Sequence, residues 1–407
     1  MGVKIPQITP NELKRVLIVG CHLHHWQGND IRRIIQEQGI VQLDPLNPAG
    51  RYHDIFFSSR TQKYQQGDFE KIVYPEKLVF ESYFHNLNAI HIDHFPLFYS
   101  QTLDKEHLGR YYSRALRILE QSHPDMLDQV LDYVQAHSII RGSDLTTLGK
   151  ADPKYAVWKT SSNSGTALEL LWAMGKLAVI RDDNFRKTYV TIENYIEPSK
   201  LVKKSYSKEE QQYLKMKLKL QSFPIISVGK LSIKKDGNVR FGKKTGISPK
   251  KVLIDEESSE RLSATLVQLN NEATGYIIPS NWKDLCQRNL DEEMRVIGPL
   301  DPLIWDRQLL NKLFSFDYVW EVYKKVEDRI WGYYVYPILF QGNFIGRLEA
   351  KYESKSLKLR LFNFQAENHL SLSPDTEEAF NRMLSRWKNM VGAEKLEYDK
   401  SIPFAMI

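Results

Sequence analysis

At 407 residues, with 42% hydrophobic and 12% aromatic side chains, the chain is too long for one ordinary core and too apolar for a disordered polymer; two to four folded domains are expected. Its two cysteines, Cys21 and Cys286, exclude a disulfide framework, and no apolar leader or run of roughly 18 apolar residues marks it for export or a membrane, so the reading is cytoplasmic. The net charge of +6 is unevenly spread: fourteen basic against three acidic residues lie between Lys203 and Lys251, and this +11 segment suggests a polyanionic partner, most simply nucleic acid.

In chain order, Thr9-Pro10-Asn11-Glu12 opens a first helix with a capping box and a proline suited to its first turn. Asn29-Asp30 starts a second, with Ile31, Ile34 and Ile35 at core spacing and Gly39 as its stop. A short strand follows, and with it the chemically most suggestive residues, Gln42-Leu43-Asp44. Alternation along a strand puts Gln42 and Asp44 on one side and Leu43 on the other, and Pro45 then turns the chain. A carboxamide and a carboxylate projecting together can orient one water, take its proton, or face a developing cation. The plain alternative is a polar turn with Gln42 on the surface.

Residues 76–99, rich in aromatics, are expected to be helical, as are 111–121. An amphipathic helix over 125–136, a second over 165–174 and strands over 176–180 and 187–192 follow the order of a winged helix, whose second helix usually enters the major groove. The alternative is a winged helix that is purely structural. A basic helix over 207–221, a hairpin over 228–242 turning at 235–238, a helix over 256–271 and a strand over 275–278 suggest another such unit. Strands over 331–340, 344–352 and 357–362 come next, the first two joined by Gln341-Gly342-Asn343. A helix over 376–390 closes the chain, with Phe380, Met383, Leu384 and Trp387 on one side.

Three other constellations carry less. The run from Gly237 to Lys244 nearly spells a phosphate-binding loop, but Lys244 stands where Ser or Thr must ligate magnesium, so a basic hairpin is the better reading and no nucleotide cofactor is expected. His22, His24 and His25, like His85, His91 and His94, lack a helical ligand pair backed by Asp, Glu or Cys, and no metal is expected. Trp305-Asp306-Arg307 reads as an aromatic core holding a buried Asp–Arg pair.

The run from Gly39 to Asp44, with Arg51-Tyr52-His53 and Ser58-Ser59-Arg60, resembles the YcaQ-like winged-helix DNA glycosylases, relatives of AlkZ sometimes called AlkX. So do Gly298-Pro299-Leu300-Asp301-Pro302-Leu303-Ile304-Trp305-Asp306-Arg307, the run from Leu313 to Tyr318, and Trp331-Gly332-Tyr333-Tyr334-Val335-Tyr336-Pro337, which fall in order along almost the whole chain. The resemblance implies an α+β protein of tandem winged-helix domains with a β-rich C-terminal domain. The divisions expected are 1–122, winged-helix-like and carrying the catalytic loop; 123–200, a second winged helix; 201–296, a basic third unit; and 297–407, β-rich with a terminal helix. It implies a nucleoid-associated monomer acting on double-stranded DNA without cofactor, hydrolysing the N-glycosidic bond of alkylated purines, N7-linked interstrand crosslinks included. Gln42 and Asp44 match the catalytic motif. His53, Arg60, Lys230, Lys234, Lys235, Arg240, Lys243 and Lys244 are expected to contact DNA. The alternative is a non-catalytic winged-helix transcription regulator, which the basic segment would serve equally.

Overall fold

Helix starts and stops fall where local capping chemistry puts them. The computed structural model describes residues 5–26, 28–84, 86–102, 108–148, 162–202, 204, 206–233, 239–241, 261–270 and 272–403. Thr9 Oγ accepts from the Glu12 amide at 3.2 Å, and the Glu12 carboxylate accepts from the Thr9 amide at 2.8 Å, opening the helix Pro10–Gly20. Gly39, at φ +76°, ends Ile31–Gln38. Ser373 caps Pro374–Val391, which buries Phe380, Met383, Leu384 and Trp387 as their spacing predicts.

The chain divides into two compact units, one comprising Gly39–Leu43 and Gly67–Gln211, the other Met1–Gln38, Asp44–Gln66 and Gln212–Ile407. The smaller unit holds two three-stranded antiparallel sheets. In one, Asn86–His91 lies between Ile40–Gln42 and Val79–Phe84. In the other, Lys187–Thr191 lies between Ile140–Arg141 and Leu177–Arg181, preceded by the helices Met126–His137 and Asn163–Ala173. Every residue of Asn163–Ala173 is buried or half-buried, so this helix has no open face to lay in a groove.

The larger unit holds two five-stranded sheets. One runs in the order Gln7–Ile8, Ala264–Leu269, Thr274–Pro279, Ile226–Ile233, Val239–Phe241, its first pair parallel. The other, the C-terminal sheet, runs Arg295–Val296, Val335–Phe340, Asn343–Glu353, Lys358–Ala366, Lys395–Tyr398, its last pair parallel. Gln341 and Gly342 turn its central hairpin with φ of +45° and +77°, the left-handed pair that matches strand twist. A shared core joins Leu13, Leu17 and Ile278 to Leu310, Phe316 and Phe344.

Three expectations are corrected. Residues 79–91 form a hairpin, Phe80 opposite Ile90 and Tyr83 opposite Leu87, where a helix was expected; their β-branched and aromatic side chains pack across a ladder. Ala264–Leu269 is a strand, because it bonds Gln7–Ile8 on one side and Thr274–Pro279 on the other. Asp306 is no partner in a buried ion pair: it caps Arg307–Phe314 through the Leu309 amide, and Arg307 is exposed.

Candidate active site

Gln42 closes its strand opposite Asn88, and Leu43 stays in register through its amide bond to the Leu87 carbonyl at 2.9 Å. Leu43 is buried, while Gln42 and Asp44 on either side are half-buried, the alternation a pleated backbone produces. Asn86 Nδ2 donates to Gln42 Oε1 at 3.3 Å, which turns the amide so that its Nε2 is the donor face.

Asp44 opens the loop leading to the helix Tyr52–Ser58. Its Oδ1 accepts from the Leu46 amide at 2.7 Å, a short-range turn typical of Asp before Pro. Burial pushes the carboxyl up from its ordinary value, against the opposing pull of the Leu46 amide and the His53 side chain. The loop is stapled to the C-terminal sheet and terminal helix of its own unit. The Pro48 carbonyl accepts from the Tyr352 amide at 2.6 Å and the Ala49 carbonyl from Trp387 Nε1 at 2.8 Å, while the Tyr336 hydroxyl faces the Ala49 amide. Asn47 Oδ1 bonds the amide of Gly50, whose φ of +103° suits glycine, and a Cβ there would meet Met390 at 2.8 Å.

Sequence reasoning missed the tyrosines beneath this loop. Tyr334 and Tyr336 are buried with ring centroids 5.1 Å apart, and Tyr336 packs edge-on against Trp387 at 4.9 Å. The signal was present in the alternation Tyr334-Val335-Tyr336, which puts both rings on one face. Two further missed carboxylates hold the approach to Tyr334. Glu321 accepts from the amides of Ile330, Trp331 and Gly332, and Glu349 from those of Tyr333 and Tyr334.

Two expected DNA contacts are corrected. Arg60 is fully buried; its guanidinium donates to the carbonyls of Cys21 and Phe56, to Ser59 Oγ and to both oxygens of buried Asp301, and stacks 3.7 Å from the Phe56 ring centroid. His53 is fully buried too, beside Asp54. Neither offers a surface to a phosphate. Lys230 is exposed on the strand Ile226–Ile233. Arg240 lies on Val239–Phe241 with its side chain outside the description, and Lys234, Lys235, Lys243 and Lys244 lie outside the described residues. Among the described residues, no helix is long and apolar enough to cross a membrane.

A helix-and-sheet scaffold carrying a half-buried carboxylate on a stapled loop now meets its family. The family model described as DNA glycosylase AlkZ-like matches residues 35–216 and 250–389, and the chain belongs to that family: it is an enzyme of DNA repair, a DNA glycosylase. Among solved structures, the Streptomyces sahachiroi DNA glycosylase AlkZ is similar in fold, with a TM-score of 0.56 at 12% identity, covering 97% of this chain and 100% of that one. The reading as a non-catalytic regulator is set aside by the family match.

Proposed function

We propose that the enzyme is a monofunctional glycosylase that hydrolyses the N-glycosidic bond of N7-alkylated purines in duplex DNA, interstrand crosslinks among its substrates. The observation that carries this reading is the Asp44 carboxylate, half-buried on an anchored loop with Oδ1 engaged by the Leu46 amide. Oδ2 then takes the proton of an attacking water as the C1′–O bond forms and the C1′–N9 bond breaks. The electron pair returns to a purine whose N7-alkyl group already makes it cationic, so the base leaves neutral and needs no strong general acid. A partly desolvated carboxylate also stabilises positive charge on the sugar more than a solvated one would. Gln42 lies two residues away, within about 7 Å of chain, and donates through Nε2 to hold that water.

A crosslinked base cannot rotate fully out of the stack, so recognition by complete base flipping is closed to it, and a catalytic loop that works on the duplex suits such a lesion. No lysine stands in the motif, which favours hydrolysis without strand cleavage. Met126–Thr191 is proposed as a winged helix used structurally, flanked by winged-helix-like units over 1–122 and 201–296 and the β-rich part over 297–407. The basic segment around Lys230 takes the phosphates, with the enzyme acting as a monomer.

The test is release of free base from duplex DNA carrying N7-methylguanine or a nitrogen-mustard crosslink. Asp44→Asn should lower turnover by about 10²- to 10⁴-fold with DNA affinity retained. Wild-type turnover in that variant would reject Asp44 as the reactive group.

A further inference from the structure

We propose that Tyr334 is the positioning residue for the Asp44 carboxylate: in the substrate complex its hydroxyl donates to Asp44 Oδ2, or to the water that Oδ2 activates, and keeps that carboxylate ionised. This rests on the reading of Asp44 given above.

The first ground is an unanswered hydroxyl. Tyr334 is 2% exposed, and its oxygen has no hydrogen-bond partner among the described residues. A buried polar group left so costs about 1–3 kcal/mol, and the few that native proteins keep call for an explanation. Loose packing is not the explanation. Tyr318 donates to the Val335 carbonyl at 2.8 Å, Tyr64 to Asp54 at 2.9 Å, and the Tyr336 hydroxyl faces the Ala49 amide.

The second ground is how firmly that hydroxyl is held. The backbone amides of Tyr333 and Tyr334 both donate to Glu349 Oε1, at 2.6 and 3.2 Å. Gly332 reaches this arrangement at φ +137°, and a Cβ there would lie 2.3 Å from the Glu349 carboxyl carbon. The Tyr334 ring is wedged between Tyr336 at 5.1 Å and, edge-on, Trp320 at 6.1 Å. The direction of the hydroxyl is therefore fixed before any substrate arrives, as positioning requires.

The third ground is what it faces. Burial, Tyr336 and then the Asp44 charge are the leading influences on the Tyr334 hydroxyl, followed by Tyr318 and Tyr52; Asp44 in turn feels His53. Of these groups Asp44 is the one anion, and a phenol beside an anion donates to it. The phenol keeps its own proton throughout: the water's proton goes to Asp44, and Tyr334 holds the acceptor in line and offsets the desolvation that pushes its carboxyl up.

Tyr334→Phe preserves the ring and removes only the oxygen, so the fold should persist, which an unchanged melting temperature verifies. On N7-methylguanine duplex we expect kcat to fall about 10- to 100-fold, the size of one charge-assisted hydrogen bond, with duplex Kd within twofold of wild type. The acid limb of the kcat–pH profile should move to higher pH, because the ionised carboxylate has lost a donor. A merely structural tyrosine would leave that limb in place. Wild-type kcat and an unmoved limb, in a protein whose Asp44→Asn variant is inactive, would overturn the role of Tyr334 alone; an active Asp44→Asn variant would overturn the reading of Asp44 and this role with it.

Discussion

Replacing Arg60 by lysine separates a structural arginine from a phosphate-binding one. Both side chains carry +1, so a residue that merely attracts DNA tolerates the exchange. Arg60, however, makes five hydrogen bonds: Nε to the Cys21 carbonyl at 3.0 Å, Nη1 to the Phe56 carbonyl, Ser59 Oγ and Asp301 Oδ2 at 3.1, 2.8 and 2.9 Å, and Nη2 to Asp301 Oδ1 at 3.1 Å. An ammonium has three donors on one atom, so at least two buried acceptors lose their partner, and the bidentate grip on Asp301 cannot be reproduced. At about 1–3 kcal/mol for each abandoned buried group, the loss is about 2–5 kcal/mol, against a total stability on the order of 5–15 kcal/mol. With an m-value of about 2–3 kcal/mol/M, the urea midpoint should fall by roughly 1 M or more. The salt dependence of duplex binding, measured on folded protein, should keep its wild-type slope. An unchanged midpoint together with a slope reduced by about one counterion would refute this account and return Arg60 to the DNA surface.

Glu321→Gln should loosen the segment leading to Tyr334. Burial pushes the Glu321 carboxyl up, but Lys324 and the amides of Trp331, Ile330 and Gly332 outweigh that and hold it at about 2, below its ordinary 4.5. This carboxylate's stabilising contribution is complete above pH 4.5 and is lost as pH falls towards 2, so the urea midpoint of wild type should drop over that window and the variant's should drop less. Gly332→Ala places a methyl group on the Glu349 carboxylate at a backbone angle disfavoured for alanine; we expect a lower melting temperature and a kcat that falls more than Kd rises. Trp387→Phe removes the donor to the Ala49 carbonyl, costs about 1 kcal/mol of stability, and should lower kcat by loosening the Asp44 loop. Because burial pushes the Asp44 carboxyl up and a base works only when ionised, kcat should fall with decreasing pH at a higher pH than a free carboxylic acid would impose.

What could be read from the sequence was what neighbours along the chain decide. The Thr9 capping box, the Gly39 stop and the Gln341-Gly342 turn are each complete within five residues, and each stands where it was expected. Ala264–Leu269 was misread because its strand character comes from pairing with Gln7–Ile8, more than 250 residues earlier. Arg60 was misread for a related reason. Lysine and arginine are mostly exposed, so a charge with no acid nearby in sequence reads as surface, and Asp301 lies 241 positions away. A local cue existed, since Phe56 and Arg60 are four apart and share a helical face, but four-residue spacing identifies a face without saying what covers it. Tyr334 could not be recognised at all: a hydroxyl without a partner is a property of surroundings, and sequence lists none of them.

The long motifs that carried the resemblance prove to be scaffold under the reactive loop. Asp301 holds Arg60, and Gly298 leaves room for the Tyr52 ring, which a Cβ would approach to 2.7 Å. Trp331 and Gly332 deliver their amides to Glu321, and Tyr336 meets the Ala49 backbone. A buried support must satisfy many partners at once, so it takes a long and distinctive string of residues to specify. Activating a water takes a carboxylate and a donor, which a tripeptide supplies, and tripeptides are common. The part of the sequence with the highest information therefore identifies the frame, while the chemistry sits in the part with the lowest. Variants of the frame should consequently lose rate through misplacement of Asp44 while still binding duplex, and only changes at Asp44 itself should remove the reaction.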